Sequence, residues 1–282
     1  MRGRRAGQRH HFRAPVAHVP NDAPGALVER RGNVMIITIN RPEARNAVNG
    51  AVSIGVGNAL EEAQQDPEVR AVVITGAGDK SFCAGADLKA ISRRENIYHP
   101  DRPEWGFAGY VHHFIDKPTI AAVNGTALGG GTELALASDL VVADERAQFG
   151  LPEVKRGLIA AAGGVFRIMD QLPHKVAMEL LLTGEPLTAS DAYEWGLINQ
   201  VVKEGTVLDA ALTLAARVTV NAPLSVQASK RIAYGVDEGV ITAEEVGWDR
   251  TMREMRSLIR SEDAREGPLA FAEKRDPVWK AR

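Results

Sequence analysis

The chain has 282 residues, 45% hydrophobic and 25% charged, an ordinary globular composition with enough length for one large core and an appendage. A formal net charge of −2 leaves no basic excess to hold a polyanion, which excludes a bulk nucleic-acid role. The single cysteine, Cys83, excludes an intramolecular disulfide framework and any CxxC metal site, and fits a reducing, cytoplasmic setting.

Residues 1–24 carry five arginines before the first acid at Asp22 and lack the apolar segment of a secretory signal, so they read as a disordered basic tail. An organelle-targeting segment is the alternative, although such segments are usually also serine-rich. From Gly25 onward, short β-branched runs alternate with helical patterns, the signature of an α/β fold. The runs are VMIITI (Val34–Ile39), AVVIT (Ala71–Thr75), TIAAV (Thr119–Val123) and DLVVA (Asp139–Ala143). Ala51–Gln65 has helical apolar spacing and is broken by Asp66-Pro67.

Ile91–Lys117 is the least patterned part, with Trp105, Phe107 and charged residues intermixed, as in functional lids or binding loops. Its His112 and His113 read as solvent-exposed. Thr119–Ala143 has the length of a membrane span, but Asn124, Glu133, Asp139 and four glycines make it a buried strand, turn and helix. After LINQVV (Leu197–Val202) the strands stop, and Leu208 to about Ala272 reads as helices broken at Asn221-Ala222-Pro223 and near Glu238-Gly239. That tail suits packing or assembly. The core is accordingly placed at residues 25–204 and the helical region at 205–282.

No GxSxG elbow, HExxH pair or complete phosphate-loop motif occurs. Two glycine-bearing turns instead follow strands and run into helical patterns: Phe82–Leu88 and Asn124–Gly131. Glycine permits close backbone approach, and a helix start leaves N–H groups unpaired. Two such N–H groups converging would stabilise an oxyanion. For either turn alone, a tight turn without chemistry is the default.

The acids beyond the second turn change the balance. Glu133 falls in the first helical turn inside an apolar run, a costly placement unless the carboxylate faces a cavity or a partner; helix capping is the alternative. Glu153 follows in a short segment expected to be extended. Two carboxylates beside an oxyanion hole make a general acid and base pair.

With these residues in place the chain resembles the crotonase, or enoyl-CoA hydratase/isomerase, superfamily from about Gly32 to Trp279. The resemblance is carried by INRPEARNAV, GAGDKSFCAGADLKAI, AAVNGTALGGGTELALASDLVVADERAQFGLPEVKRGL, LLLTGEPLTASDAYEWGLINQVV and FAEKRDPVW, in the family's order. It implies a spiral of ββα units with a helical C-terminal region that makes homotrimers, commonly paired into hexamers. By motif position, the N–H groups of Ala86 and Gly130 would hold the thioester oxygen. Glu133 would orient and deprotonate water for attack at C3, and Glu153 would deliver a proton to C2. Ala84 and Ala86 lie where the family contacts the CoA adenine. Arg45 and Lys89 are candidates for the CoA phosphates, and Lys274 for a neighbouring subunit's CoA. The expected activity is enoyl-CoA hydration with an acyl-CoA substrate and neither metal nor cofactor. An isomerase, another crotonase-type lyase or a non-catalytic acyl-CoA binder are the alternatives. RNA binding, known in the family, would need a lysine-rich helix face that is not found.

The family's single-bond isomerases usually lack the first glutamate, which is present here. Its dienoyl isomerases and carnitine-type dehydratases usually carry an aspartate eight residues after the second glutamate, where this chain has Ala161. Ala160-Ala161 also replaces a Pro-Gly pair common in short-chain hydratases. Ala161 is therefore expected to narrow the floor beside the double bond, with an N–H still available, and Trp105 to line the acyl pocket.

Overall fold

The computed structural model describes residues 24–282, so the basic tail, apart from its last residue, lies outside the described residues. Strand β1 (Ala26–Arg31) turns at Gly32 into an antiparallel pairing with β2 (Val34–Ile39). Helix α1 (Gly50–Gln65) begins where the Asn49 side chain accepts the Val52 N–H at 3.1 Å and ends at Asp66.

Three successive turns of chain then follow one plan, in which the first strand joins one sheet and the second joins another. The first turn holds β3 (Ala71–Gly76), β4 (Ser81–Cys83) and α2 (Leu88–Ser92). The second holds β5 (Thr119–Val123), β6 (Thr126–Leu128) and α3 (Gly130–Ala137). The third holds β7 (Leu140–Asp144), β8 (Gln148–Gly150) and α4 (Gly164–Gln171). Beyond α5 (His174–Thr183), β9 (Leu187–Thr188), α6 (Ala189–Glu194) and β10 (Gln200–Val202) complete the two sheets. The sheet orders are β1-β2-β3-β5-β7-β10 and β4-β6-β8-β9, with β2 to β10 all parallel in the larger. This is the spiral of ββα units that the family resemblance implies.

Parallel strands covered on both faces read as continuous apolar runs, and VMIITI and AVVIT are such strands. Met35, Ile37, Val72, Ile74 and Ala121 face the main core, while Val34, Ile36, Val73, Ile120 and Val142 meet α7 (Val207–Thr219) through Val207, Ala211, Leu214 and Ala215. The first of the C-terminal helices thus covers one face of the large sheet. After it come α8 (Pro223–Tyr234), a short hairpin of β11 (Val236–Asp237) and β12 (Val240–Ile241), α9 (Glu245–Leu258) and α10 (Glu262–Glu273). The hairpin corrects the expectation that strands end at Val202; its turn is the expected break at Glu238-Gly239, with both residues at positive φ. The stretch 119–143 holds β5, β6, α3 and most of β7, largely buried, and no single helix among the described residues is long and apolar enough to cross a membrane.

Two further expectations are corrected. His113 is buried, its Nδ1 paired with the Gly109 carbonyl and its Nε2 with Glu61, and its ring stacks on Trp105 at 4.0 Å. Only His112 of the two is exposed. Glu153 lies in a 3-10 turn, Pro152–Arg156, because Pro152 sets the φ needed for a first helical position.

Candidate active site

Strands β4, β6 and β8 lie side by side and parallel, with Cys83 opposite Ala127 and Ala127 opposite Phe149. Their following segments therefore leave the sheet at one edge. The first carries Ala86, the second Gly130 and the third Glu153. Thr132 fastens the last two, donating from Oγ1 to the Ala127 carbonyl at 2.7 Å and accepting the Gly150 N–H at 2.9 Å.

The N–H groups of Ala86 and Gly130 have no acceptor among the described residues. Their flanks are tied: Val48 N–H donates to Gly85 carbonyl at 2.8 Å and Asp87 N–H to Val48 carbonyl at 2.9 Å, leaving the Ala86 N–H between them unused. Gly130 is the first residue of α3, where an N–H has no intrahelical partner. The two turns touch, since a β-carbon on Gly85 would lie 3.2 Å from Gly130 N. A β-carbon on Gly130 would fall 2.4 Å from the Phe107 ring, so glycine is required there by packing.

One turn into α3, Glu133 is 3% exposed. Its Oε1 accepts the Ala162 N–H at 2.7 Å and the Gly164 N–H at 2.9 Å. Burial, reinforced by the charge of Glu153, pushes its pKa up to about 8 against the pull of those two N–H groups and Arg167. Burial likewise raises Glu153 to about 7. Glu153 Oε2 is buried without a hydrogen-bond partner, and its Oε1 lies 2.8 Å from where a β-carbon on Gly129 would be. Two carboxyl groups whose ionisation is opposed by burial, that of Glu133 also by the charge of Glu153, are suited to carry one proton and one charge near neutral pH.

Ala84 N–H donates to the Arg45 carbonyl at 3.1 Å, and Ala86 bridges to Val48, so Arg45, Ala84 and Ala86 share one rim with Lys89 in α2. Arg45, Ala84 and Lys89 are exposed. Lys274, exposed at the end of α10, is not brought to that rim by any contact within the chain. Trp105 packs on α1, 2.8 Å from a β-carbon position on Gly57, and lines a cavity that does not include the two glutamates. Ala161 is half-buried and its N–H does not reach Glu133, whereas Ala160 is buried, with its methyl 2.8 Å from a β-carbon position on Gly164.

Sequence reasoning missed the Ala162 and Gly164 donors, and it missed Arg41, whose Nη1 lies 2.8 Å from Asp87 Oδ2 beside the oxyanion turn. The available signal was Gly163-Gly164 opening a helix, and Asp87 as an N-cap whose Oδ1 accepts the Lys89 and Ala90 N–H groups.

The enoyl-CoA hydratase/isomerase family model matches residues 29–282. A carnitinyl-CoA dehydratase from Salmonella paratyphi A is 44% identical over 256 residues, 90% of this chain and 97% of that protein. A solved structure of a carnitinyl-CoA dehydratase from Mycobacterium avium 104 is 83% identical, with a TM-score of 0.89 over 92% of this chain and all of that one. An enoyl-CoA hydratase from Mycobacterium tuberculosis H37Rv is 46% identical, with a TM-score of 0.72 over 92% of this chain and all of that one. Matched along nearly its whole described length in sequence and in fold, the chain belongs to the enoyl-CoA hydratase/isomerase family, the crotonase superfamily.

Proposed function

We propose that the chain adds water reversibly across the double bond of a 2-enoyl-CoA, giving a 3-hydroxyacyl-CoA. The observation that carries this reading is the pairing of the buried Glu133 and the half-buried Glu153, both with raised pKa, with two unused N–H groups at the same end of the small sheet. In hydration, Glu133 takes a proton from water as its oxygen bonds to C3, and the C2–C3 π pair moves toward the thioester. The N–H groups of Ala86 and Gly130 receive the enolate charge on the carbonyl oxygen, and Glu153 gives its proton to C2. The proton held by Glu133 must return to Glu153 before the next cycle. One preorganised N–H donor typically contributes about 3 kcal/mol and acid–base catalysis roughly 10² to 10⁴ in rate. Addition to an activated double bond transfers protons and no electrons, so it asks for no redox cofactor.

The reverse reaction starts from the other protonation state, with Glu153 ionised to remove the C2 proton and Glu133 protonated to assist the departing hydroxyl. The deeper burial of Glu133 favours that distribution in the free chain. Both directions pass through the same transition state, and dehydration is the reaction the carnitinyl-CoA relatives are named for. Arg45, Ala84 and Lys89 are proposed to hold the CoA moiety along their rim. Trimers, or pairs of trimers, are proposed to form through α8–α10, where Leu224, Ile232 and Phe271 are 78%, 81% and 50% exposed; Lys274 would then serve a neighbouring subunit. A cytoplasmic location is proposed from the lone buried thiol. Turnover of a panel of enoyl-CoA and 3-hydroxyacyl-CoA esters, followed through the enoyl chromophore, tests the reading; no turnover of any ester would overturn it.

A further inference from the structure

Arg167, in α4, is 6% exposed and joins three separate segments. Its Nε and Nη2 donate to the two carboxylate oxygens of Glu244 at 2.7 and 2.6 Å, and Nη2 also donates to the Val111 carbonyl at 2.7 Å. Glu244 directly precedes α9 and is fixed by it, since Trp248 Nε1 donates to Glu244 Oε2 at 3.2 Å. The guanidinium carbon lies 5.3 Å from the centre of the Trp248 ring. A two-pronged arginine–carboxylate contact sets distance and angle together. A buried ion pair seldom adds net stability over apolar side chains of the same volume, so stability alone does not account for this one.

Both halves of the candidate site rest on this arginine. Toward the acids, Arg167 Nη1 and Trp248 Cη2 each lie 3.1 Å from where a β-carbon on Gly163 would stand, and the Arg167 N–H donates to the Gly163 carbonyl at 3.1 Å. Gly163, at a φ of 96°, sits between Ala162 and Gly164, whose N–H groups hold Glu133 Oε1. Toward the oxyanion turn, the Val111 N–H donates to the Phe107 carbonyl at 3.2 Å, and the Phe107 ring fills the space beside Gly130. The carbonyl that Arg167 grips thus belongs to the turn whose ring seats one of the two unused donors.

We propose that Arg167 and Glu244 are positioning residues: Glu244, supplied by the C-terminal region, locks the guanidinium that braces the 162–164 loop behind Glu133 and the 107–111 turn behind Gly130. The inference rests on the enoyl-CoA reading above and adds two residues to its machinery.

The groups facing Glu133 that titrate or carry charge are Glu153, Tyr98, Cys83 and Arg167; those facing Arg167 are Glu244, His112, Tyr110 and Tyr234. E244Q leaves the guanidinium charge uncompensated, which favours ionised Glu133, whereas R167M removes that charge and disfavours it. In the full chain, the maximum of the kcat/KM profile is expected to move down by about 0.5 to 1 in pH in E244Q and up by about as much in R167M. In both, kcat should fall about 10- to 100-fold while KM stays within about threefold. The position of a maximum does not depend on how much protein is folded, so poor folding of either variant leaves that readout intact. No shift, shifts in one common direction, or losses confined to KM would overturn the proposal. Titration of the Glu133 carboxyl by ¹³C NMR in the free chain, assigned by its loss in E133Q, separates the two readings. Opposed displacements of that titration without turnover of any enoyl ester sink hydration and leave the brace standing, whereas turnover with coincident profiles does the opposite.

Discussion

A β-carbon added to Gly164 would stand 2.8 Å from Glu133 Oε1 and 2.8 Å from the Ala160 methyl, so the carboxylate and the loop that grips it are fitted to a residue without a side chain. Gly164→Ala is therefore expected to push Glu133 off its two N–H donors. A fall in turnover of about 10- to 100-fold and a stability loss of about 1–3 kcal/mol are expected. Steady-state kinetics beside urea denaturation check both, and unchanged turnover in a folded variant would count against this positioning.

Glu133→Gln and Glu153→Gln should each cut turnover by at least tens-fold, since each removes a proton transfer made in the transition state. Affinity for a saturated acyl-CoA should stay nearly the same in both. Calorimetric titration against kinetics on the same preparations reads the split, and wild-type turnover in either variant would remove that glutamate from the mechanism.

The pair titrates across neutrality, with values of about 7 and about 8. Below that window both glutamates hold protons and no base exists; above it both are ionised and no acid remains. A bell-shaped profile of kcat/KM with its maximum between pH 7 and 8 is expected, and a profile flat from pH 6 to 9 would contradict it.

Stability should follow the same protons. Both folded-state values lie above the ordinary carboxylate range, so the contribution of these groups is fully present below pH 4.5 and is lost as pH rises through about 7 and 8. Glu133→Gln, which does not ionise, should gain on the wild type by about 1–3 kcal/mol between pH 6 and 9. Denaturation at three pH values measures the difference, and a gap that narrows with rising pH would reverse the sign argued here.

Asp87 caps α2, meets Arg41 at 2.8 Å and directly follows Ala86. Asp87→Asn keeps a good capping side chain but leaves the mostly buried Arg41 unpaired, at a cost of about 3 kcal/mol. The Ala86 N–H should lose its fixed aim, lowering kcat more than it raises KM for enoyl-CoA. A pure KM effect would show that this pair serves binding alone.

The long strands were legible because burial on both faces writes a continuous apolar run, as in VMIITI and AVVIT. Strands β4, β6 and β8 have three residues each, too few for any period to register, so the register that gathers the site was hidden. Glu133 stood out as a charge in an apolar helix. The donors to Glu133 did not, because a backbone N–H is carried by every residue except proline, and only the folded path of 160–164 selects Ala162 and Gly164.

The parallel register of β4, β6 and β8 also separates two kinds of change that a lineage can make. The segments leaving these strands are held to within a residue or two by the sheet, so substitutions there disturb chemistry. The return paths have no such register; the one from α2 to β5 runs from residue 93 to 118 without a regular α-helix or strand and is held by side chains instead, among them the buried Phe107, Tyr110 and His113. Length and composition can drift in its exposed stretches, such as residues 93–94 and 101–104, while Ala86, Gly130 and Glu153 stay in place. Tolerance to insertion is thereby steered toward the exposed parts of the returns and away from the three short segments that carry Ala86, Gly130 and Glu153.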